Sequence, residues 1–349
     1  MLNEIKRKVI DARLNGATYT QIFTDYGVAK STAQGWVGAF NANENIPIGY
    51  VNDNLRRIKP TKKDTQVSPE EFMENLVPLV FPLPEIPKVK SELSNFAIVC
   101  SDMHFPTECK KSVDILFQTI IELKPSTIIL NGDTCDMLAI SKYPADILTS
   151  WNLNEERIAY QKFLQTLVSI SGGAKIYETH ANHSSQGIQG RWRRYLSEKL
   201  GSLACLSEFW DNCTYEKVFM GDFADIIETV DYVDLNGLLV MHGDVVRSNA
   251  GASALGMIQK FSASVMIGHV HRLGATAIRR PAIAGKTDVQ HMGYEIGCMC
   301  DLNPVYASAP NWQNGFAIVS LSDNTFGVEL VSISNGKSSI CTLGKTLFA

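Results

Sequence analysis

The sequence predicts an α/β fold in which two mixed β-sheets stack with helices on their outer sides, preceded by a small three-helix unit. Beyond Ser94, short apolar runs alternate with amphipathic stretches, the pattern of strands joined by crossover helices. After about Ala275 the remaining signals are mostly strand, so an α/β half runs into a β-rich half. The 349 residues, 45 % apolar and 19 % charged, can bury one large core and leave room for an appendage. This composition excludes a wholly disordered or collagen-like chain.

The first unit spans residues 1–40. Ile5, Val9, Ile10 and Leu14 recur at helical spacing before Gly16. A second short helix starts at Thr18 and runs to Tyr26, and Gly27 makes a turn. Ser31 and Thr32 then open a third helix holding Trp36, Val37 and Phe40. Three short helices with a glycine turn before the last resemble a helix-turn-helix, a pattern shared by helical interaction modules. On the DNA-binding reading, Lys30, Ser31, Thr32 and Gln34 face the groove. Residues 41–93 form a tether containing seven of the thirteen prolines and the basic cluster from Arg56 to Lys63.

The catalytic-sized body covers residues 94–349. Strands are expected at Phe96–Cys100, Thr127–Leu130, Ala174–Glu178, Leu238–Met241 and Val265–Ile267. Helices are expected at Val113–Leu123, Arg157–Ile170, Arg191–Leu200 and Ala252–Phe261. Later strands follow at Ala275–Ile278, Tyr294–Cys298, Phe316–Leu321 and Gly327–Ile333.

No run reaches the ~18 apolar residues of a membrane span, and the first nine residues lack the apolar core of a signal peptide. A cytoplasmic protein with no membrane partner is expected. The eight cysteines fit that compartment and contain no CxxC, so the pattern signals neither a thiolate zinc site nor a redox pair. The net charge of -4 conceals a division: ten basic and six acidic residues lie before Gln66, and the remainder carries -8.

Six of the seven histidines lie at or near the ends of predicted strands. The strands lead in turn into Asp102-Met103-His104, Asn131-Gly132-Asp133, His180-Ala181-Asn182-His183, His242-Gly243-Asp244 and Gly268-His269-Val270-His271. Ligands of open α/β sheets bind beyond the carboxyl ends of the strands, so these residues converge on one crevice. Carboxylate and imidazole donors suit Mn, Fe, Zn or Ni. Asp102, His104, Asp133, Asn182, His242, His269 and His271 are too many for one tetrahedral ion and about right for two sharing a carboxylate, with ions roughly 3.5–4 Å apart.

These five ordered motifs, from about Phe96 to about Leu273, resemble the calcineurin-like metallophosphoesterase superfamily, whose signature runs DxH, GDxxD, GNH(E/D), a lone His and GHxH. The resemblance implies a four-layer α/β/β/α sandwich and two divalent ions, with Mn²⁺ the first choice. It implies that Asp102, His104 and His271 hold one ion, that Asn182, His242 and His269 hold the other, and that Asp133 bridges them. It further implies that a metal-bridging hydroxide attacks the phosphorus while His183 binds the phosphate and assists the leaving oxygen. The chemistry agrees: anionic phosphodiester oxygens repel a nucleophile unless cations neutralise them, and imidazole is the proton donor that titrates near working pH.

The chain departs from the signature at Ala181, where the family has Gly, and at Ser184, where it has an acid. Alanine is tolerated if the turn needs no positive φ. Serine removes a carboxylate that would orient a neighbour. Asp136, Asp244 and His180 are candidates to orient the ligands, and Arg191, Arg193 and Arg194 to meet a phosphate backbone. The other large residues of the C-terminal part, Tyr306, Trp312 and Phe316, are expected to pack in the β-core and its loops. The segment Gly297-Cys298-Met299-Cys300-Asp301, with Asn311-Trp312 and Gly315-Phe316, is similar to phage- and prophage-encoded members of that superfamily. This implies the cytoplasm of a bacterium or phage-infected cell.

The substrate expected first is DNA, cleaved by a phosphodiesterase or nuclease. An acidic body binds polyanions poorly, and a +4 head would tether it. The alternatives are a phosphomonoesterase acting on phosphoprotein or small esters, and a DNA-binding regulatory or assembly protein with a non-catalytic metal site.

Overall fold

The computed structural model describes residues 8–10, 12, 19–26, 33, 93–141, 152–183, 190–200, 212–282, 288–304 and 309–349. The chain divides into two compact units: Met1–Asn75 with Ala145–Ser150, and Leu76–Pro144 with Trp151–Ala349. In the first, helix α1 (Tyr19–Tyr26) forms where the sequence predicts the second helix, with Ile22 buried. Val9, Ile10 and Ala33 are buried as well. Lys30, Ser31, Thr32 and Gln34, proposed to face DNA, lie outside the described residues, as does the tether up to residue 92.

In the second unit β1 (Ser94–Cys100), α2 (Lys110–Leu123), β2 (Pro125–Leu130), α3 (Leu153–Ile170) and β3 (Lys175–Thr179) follow in order. Helix α3 begins four residues before the periodicity alone would place it, because Asn152 and Glu155 form a capping box. The Asn152 side chain accepts the Glu155 N–H at 3.0 Å, and the Glu155 carboxylate accepts the Asn152 N–H at 3.0 Å. Such a cap contributes about 1 kcal/mol. Helix α4 (Arg191–Leu200) has the predicted bounds. A π-helical turn at Glu216–Met220 and a 3-10 turn at Gly221–Asp225 come next, and neither has a sequence signal of its own.

Strands β4 (Ile227–Val230), β5 (Val233–Leu235) and β6 (Leu238–Val240) precede α5 (Ala252–Phe261) and β7 (Ser264–Ile267). They are followed by β8 (Leu273–Arg280), β9 (Val289–Ile296), β10 (Asn314–Ser322), β11 (Thr325–Ile333), β12 (Lys337–Ile340) and β13 (Lys345–Phe348). The first sheet has the order β11-β10-β1-β2-β3-β4, with β1 to β4 parallel and β10 and β11 antiparallel at one side. The second has the order β5-β6-β7-β9-β8, with β6, β7 and β9 parallel.

The sheets stack through one apolar cluster. Ala97, Val99, Ile129, Ala317 and Val319 of the first sheet meet Leu235, Leu238, Val240, Met266 and Ile296 of the second. Alternate residues of β1, Ile98 and Cys100, point to the opposite face and are equally buried, as expected for a strand covered on both sides. Helix α2 covers the outer side of the first sheet against β1 and β10 and packs on α3, and α5 covers the second against β7, β8 and β9. Met257 and Ile258 of α5 meet Val265 and Ile267 of β7. This is the predicted pair of stacked mixed sheets with helices outside. No helix of the described residues is long and apolar enough to cross a membrane.

Because Met266 lies in the layer shared by both sheets, Met266→Ala is expected to lower the unfolding free energy by about 2–5 kcal/mol. Urea denaturation measures this directly. A loss under about 1 kcal/mol would show that the shared layer does not hold the sheets together.

Candidate metal centre

The carboxyl ends of β1, β2 and β3 in one sheet and of β6 and β7 in the other deliver the candidate ligands. Asp102, His104, Asp133, His269 and His271 all have left-handed backbones, with φ of 54°, 50°, 48°, 65° and 57°. A non-glycine residue there is disfavoured by about 1–3 kcal/mol and persists only where the surroundings fix it. Five of them at converging strand ends mark a centre built at the expense of local stability.

Two glycines permit the close approach. A Cβ on Gly132 would lie 2.6 Å from the Ala181 Cβ and 2.8 Å from His242 Nδ1, and Gly132 itself has φ of 80°. A Cβ on Gly268 would lie 1.9 Å from Ser101 Oγ and 2.6 Å from Asp102 Oδ2. Ala181 is not among the positive-φ residues, so its methyl group costs no backbone strain.

The buried donors fall into overlapping groups, each with ligand atoms within 4.8 Å of one another: Asp102, His104 and His271; Asp133, His242 and His269; and His104, Asp133 and His183. In the first, His271 Nε2 lies 3.1 Å from Asp102 Oδ1 and 3.2 Å from His104 Nε2. In the second, His242 Nε2 lies 3.1 Å from both Asp133 Oδ2 and Asn182 Oδ1. Asp133 belongs to the second and third groups and His104 to the first and third, so these two residues link the ligand sets. Two oxygen- and imidazole-rich sets meeting at a carboxylate and an imidazole fit a pair of borderline divalent ions.

Asp102, His104 and His242 are held from behind. Asp102 accepts from Ser101 Oγ at 2.6 Å and from the His269 N–H at 2.9 Å. His242 Nδ1 meets the Asn131 carbonyl at 2.9 Å, and the Asn131 side chain is fixed by Thr179 Oγ1 and the Met241 carbonyl. Asp136 Oδ1 lies 3.1 Å from His104 Nδ1 and 3.0 Å from His183 Nδ1. Such contacts fix ring orientation and tautomer, so metal affinity depends on them.

The electrostatics follow from burial. Burial pushes the Asp102 carboxyl up, but His271 and His242 outweigh it and hold it at about 2. Burial also opposes charge on His242 and His271, yet Asp133 and Asp102 raise the first to about 9, and Asp102 raises the second to about 10. Burial lowers His104 and His269, the latter also through its neighbour His242. Without an added cation, the two imidazoliums therefore face Asp102 and Asp133, and Arg191 faces the third buried carboxylate, Asp136, at 3.7 Å.

The structure brings Asp102, His104, Asp133, Asn182, His183, His242, His269 and His271 together and adds Asp136 behind two imidazoles. It does not bring in Asp244, which is exposed and pairs with Lys260 at 2.5 Å because its side chain points to solvent beyond Gly243. His180 falls in none of the groups; its backbone N–H donates to the Val230 carbonyl, which keeps that segment in register with β4. Arg193 is exposed on α4 and Arg194 half-buried. Ser184 lies outside the described residues.

Sequence reasoning missed several contacts. Arg191 donates Nη1 to the Asp136 carbonyl at 2.6 Å, and its Nη2 lies 3.0 Å from His183 Nε2. Trp312, expected only to pack, sets its ring centroid 4.2 Å from that of His271. Cys298 and Cys300 join His271 in a further metal-capable group, with Cys300 Sγ 3.8 Å from His271 Nδ1. Their C-x-C spacing does not match a zinc motif, and the proximity to His271 arises only when β8 and β9 pair. Phe316 is core, as expected, and Tyr306 lies outside the described residues.

Fold and donor set together define a stacked-sheet α/β protein with a buried carboxylate and imidazole centre suited to divalent ions. No family model matches the sequence. The chain is similar to the Gene 54 proteins of Mycobacterium phages D29 and L5, at 25 % identity over 268 residues and 22 % over 263, covering 71 % of this chain and 97 % of each relative. It is also similar to solved structures of Vps29 from Entamoeba histolytica complexed with Zn (TM-score 0.36, 10 % identity, 70 % of this chain and 95 % of that one). Vacuolar protein sorting 29 from Cryptosporidium parvum gives a TM-score of 0.37 at 13 % identity over 71 % and 95 % of the chains. Pseudomonas putida nuclease MPE gives 0.25 at 13 % identity over 67 % and 87 %.

In chelator, thermal stability is expected to fall as pH rises from about 6.5 to 10. The raised pKa values of His242 and His271 stabilise the fold fully below the unfolded imidazole value near 6.5, and this is lost through about 9 and 10. With Mn²⁺ the trend should reverse in part, since a coordinated imidazole must be neutral and ion binding strengthens as protons leave. Calorimetric scans across that range, with and without the ion, check both slopes. A second expectation concerns Gly132→Ala, which should displace His242 and weaken Mn²⁺ binding at least tenfold by titration calorimetry.

Proposed function

We propose that the protein is a dinuclear metal-dependent phosphoester hydrolase, and that its substrate is DNA, cleaved as a phosphodiesterase or nuclease. The observation that carries the hydrolase reading is that Asp133 lies in one group with His242 and His269 and in another with His104, which itself belongs to the group of Asp102 and His271. Asp102, His104 and His271 would hold one ion, Asn182, His242 and His269 the other, and Asp133 both. When bound, divalent ions supply charge neutralisation at the phosphate oxygens and lower the pKa of water.

The remaining roles belong to the chain. His183 Nδ1–H donates to the Asp136 carbonyl and carboxylate, each 3.0 Å away, which fixes the ring and aims Nε2 toward the cluster, 4.0 Å from Asp133 Oδ2. In this arrangement Nε2 accepts from Arg191. A phosphate entering beside Asp133 offers that guanidinium a stronger, charged acceptor. Nε2 is then free to hold a proton and pass it to the leaving oxygen. The His183 side chain is 16 % exposed, enough to meet a substrate from solvent. Walls of buried carboxylate and imidazole exclude bulk water from the rest of the centre.

The DNA reading is supported by the charge division, a basic first part and an acidic body. The test supplies plasmid DNA, bis-p-nitrophenyl phosphate and p-nitrophenyl phosphate in parallel to the protein in Mn²⁺. Cleavage of the diester and of plasmid is expected; cleavage of the monoester alone would sink the nuclease assignment in favour of a phosphomonoesterase. Absence of turnover with retained metal would favour a regulatory or assembly protein. Asp133→Ala should remove both metal occupancy and turnover, whereas His183→Ala should keep the metal and lose about 10²- to 10⁴-fold in kcat. An unchanged kcat in His183→Ala would refute its role as acid.

A further inference from the structure

Helix α4 is oriented by two buried side chains. Trp192, whose Nε1 donates to the Cys213 carbonyl at 2.8 Å, and Leu196 both face the interior, and the Trp192 ring meets Phe219 edge-on. At 3.6 residues per turn Arg191, Arg194, Tyr195 and Glu198 share the neighbouring side of the helix, and Lys199, seven residues from Trp192, emerges at the margin of the buried face. They line a cavity of about 270 Å³, with the segment around the 3-10 turn at Leu138–Ile140 contributing the rest of the wall.

Arg191 connects this cavity to the metal centre, because its guanidinium touches His183 Nε2 and the Asp136 carbonyl at the same time. Arg191 is therefore common to the cavity wall and to the surroundings of His183. Three cations line it with one carboxylate, that of Glu198, and of the three Arg191 is paired, with Asp136 at 3.7 Å. Neither Arg194 nor Lys199 forms an ion pair with a described residue, although ion pairs are made elsewhere by Arg279, Lys260 and Lys345. A half-enclosed space with unpaired cations concentrates anions, and a guanidinium with an ammonium beyond it matches phosphate oxygens.

We propose that this cavity binds the phosphate next to the one being cleaved, so that the substrate is a phosphodiester strand rather than an isolated ester. The inference rests on the phosphoesterase reading of the centre and deepens it. Arg191 spans the two positions. Arg194 and Lys199 take the flanking phosphate, and the Tyr195 ring, tilted 24° from that of Trp192, offers a face beside it for a base. A single phosphorylated side chain would leave the second position empty.

The test compares the wild type with Arg194→Ala/Lys199→Ala in Mn²⁺ on a short single-stranded oligothymidylate and on bis-p-nitrophenyl phosphate, which has one phosphate. The ratio of kcat/KM for the oligonucleotide to that for the small diester should fall at least tenfold. Charge-keeping Arg194→Lys/Lys199→Arg should restore most of it, which a folding defect would not allow. Fluorescence anisotropy of labelled oligothymidylate on the metal-free protein should show weaker binding, with the slope of log Kd against log salt shallower by about 1.4 for two lost contacts. Equal losses on both substrates, or unchanged oligonucleotide binding, would overturn the proposal. If the wild type hydrolyses neither substrate, the phosphoesterase reading fails, and the anisotropy still decides whether the cavity holds a strand. A preference for a phosphopeptide that the double substitution leaves intact would assign a protein substrate and equally overturn it.

Discussion

Two carboxylates without solvent, Asp102 and Asp133, impose the constraint on which the rest of this structure depends. An isolated buried carboxylate is too costly to keep ionised, so each must have cationic or hydrogen-bonding partners at close range. In the protein alone the cationic partners are His271 and His242, whose raised pKa values express the same interaction from the other side. The arrangement is electrostatically complete only while both imidazoles keep their protons. A divalent cation would replace that proton charge with a fixed one, so the geometry that stabilises the fold near neutral pH is also suited to a metal.

The backbone accommodates this cluster through strain rather than through regular structure. Five ligands sit at left-handed φ, and Gly132 and Gly268 lie where a Cβ would enter the side chain of His242 or Asp102. Regular sheet on both sides makes the strain tolerable. Strands β1, β2 and β3 form one parallel block and β6 and β7 another, and the Ala97, Val99 and Met266 layer holds the blocks at fixed separation. Loops at the ends of rigid strands can be positioned within tenths of an ångström, which the overlapping donor groups require.

A second set of buried carboxylates supports the segment 134–138 that follows Asp133. Glu178 accepts from Thr134 at 2.6 Å and from Tyr160 and Tyr215, and burial raises its pKa to about 7. Glu156 accepts the N–H groups of Met137 and Leu138 at 2.7 and 3.1 Å, and burial raises its pKa to about 8. Both act on residues flanking Asp136. The orientation of His104 and His183 is thus transmitted from the core through Thr134 and Met137 to the Asp136 carboxylate that touches both rings.

The stacked-sheet class, the order of the main strands and helices, and the convergence of Asp, Asn and His at strand ends are legible in the chain alone, because apolar periodicity and residue types at strand ends are local signals. Element starts shifted where side chains cap the backbone, as at Asn152. The strands Ile227–Val230 and Val233–Leu235, interrupted by Glu228, Thr229 and Asp234, and the C-terminal hairpin at Lys337–Phe348 are too polar to register as apolar runs, whereas the equally short Leu238–Val240 does. Only the tertiary structure decided that the ligands come from two sheets rather than one. It also turned Asp244 outward to Lys260, set Arg191 on His183, and brought Cys300 and Trp312 to His271. These are contacts between residues far apart in the chain, or choices of side-chain direction at a strand end, and no local period encodes either. They depend on how the two sheets close over their shared core.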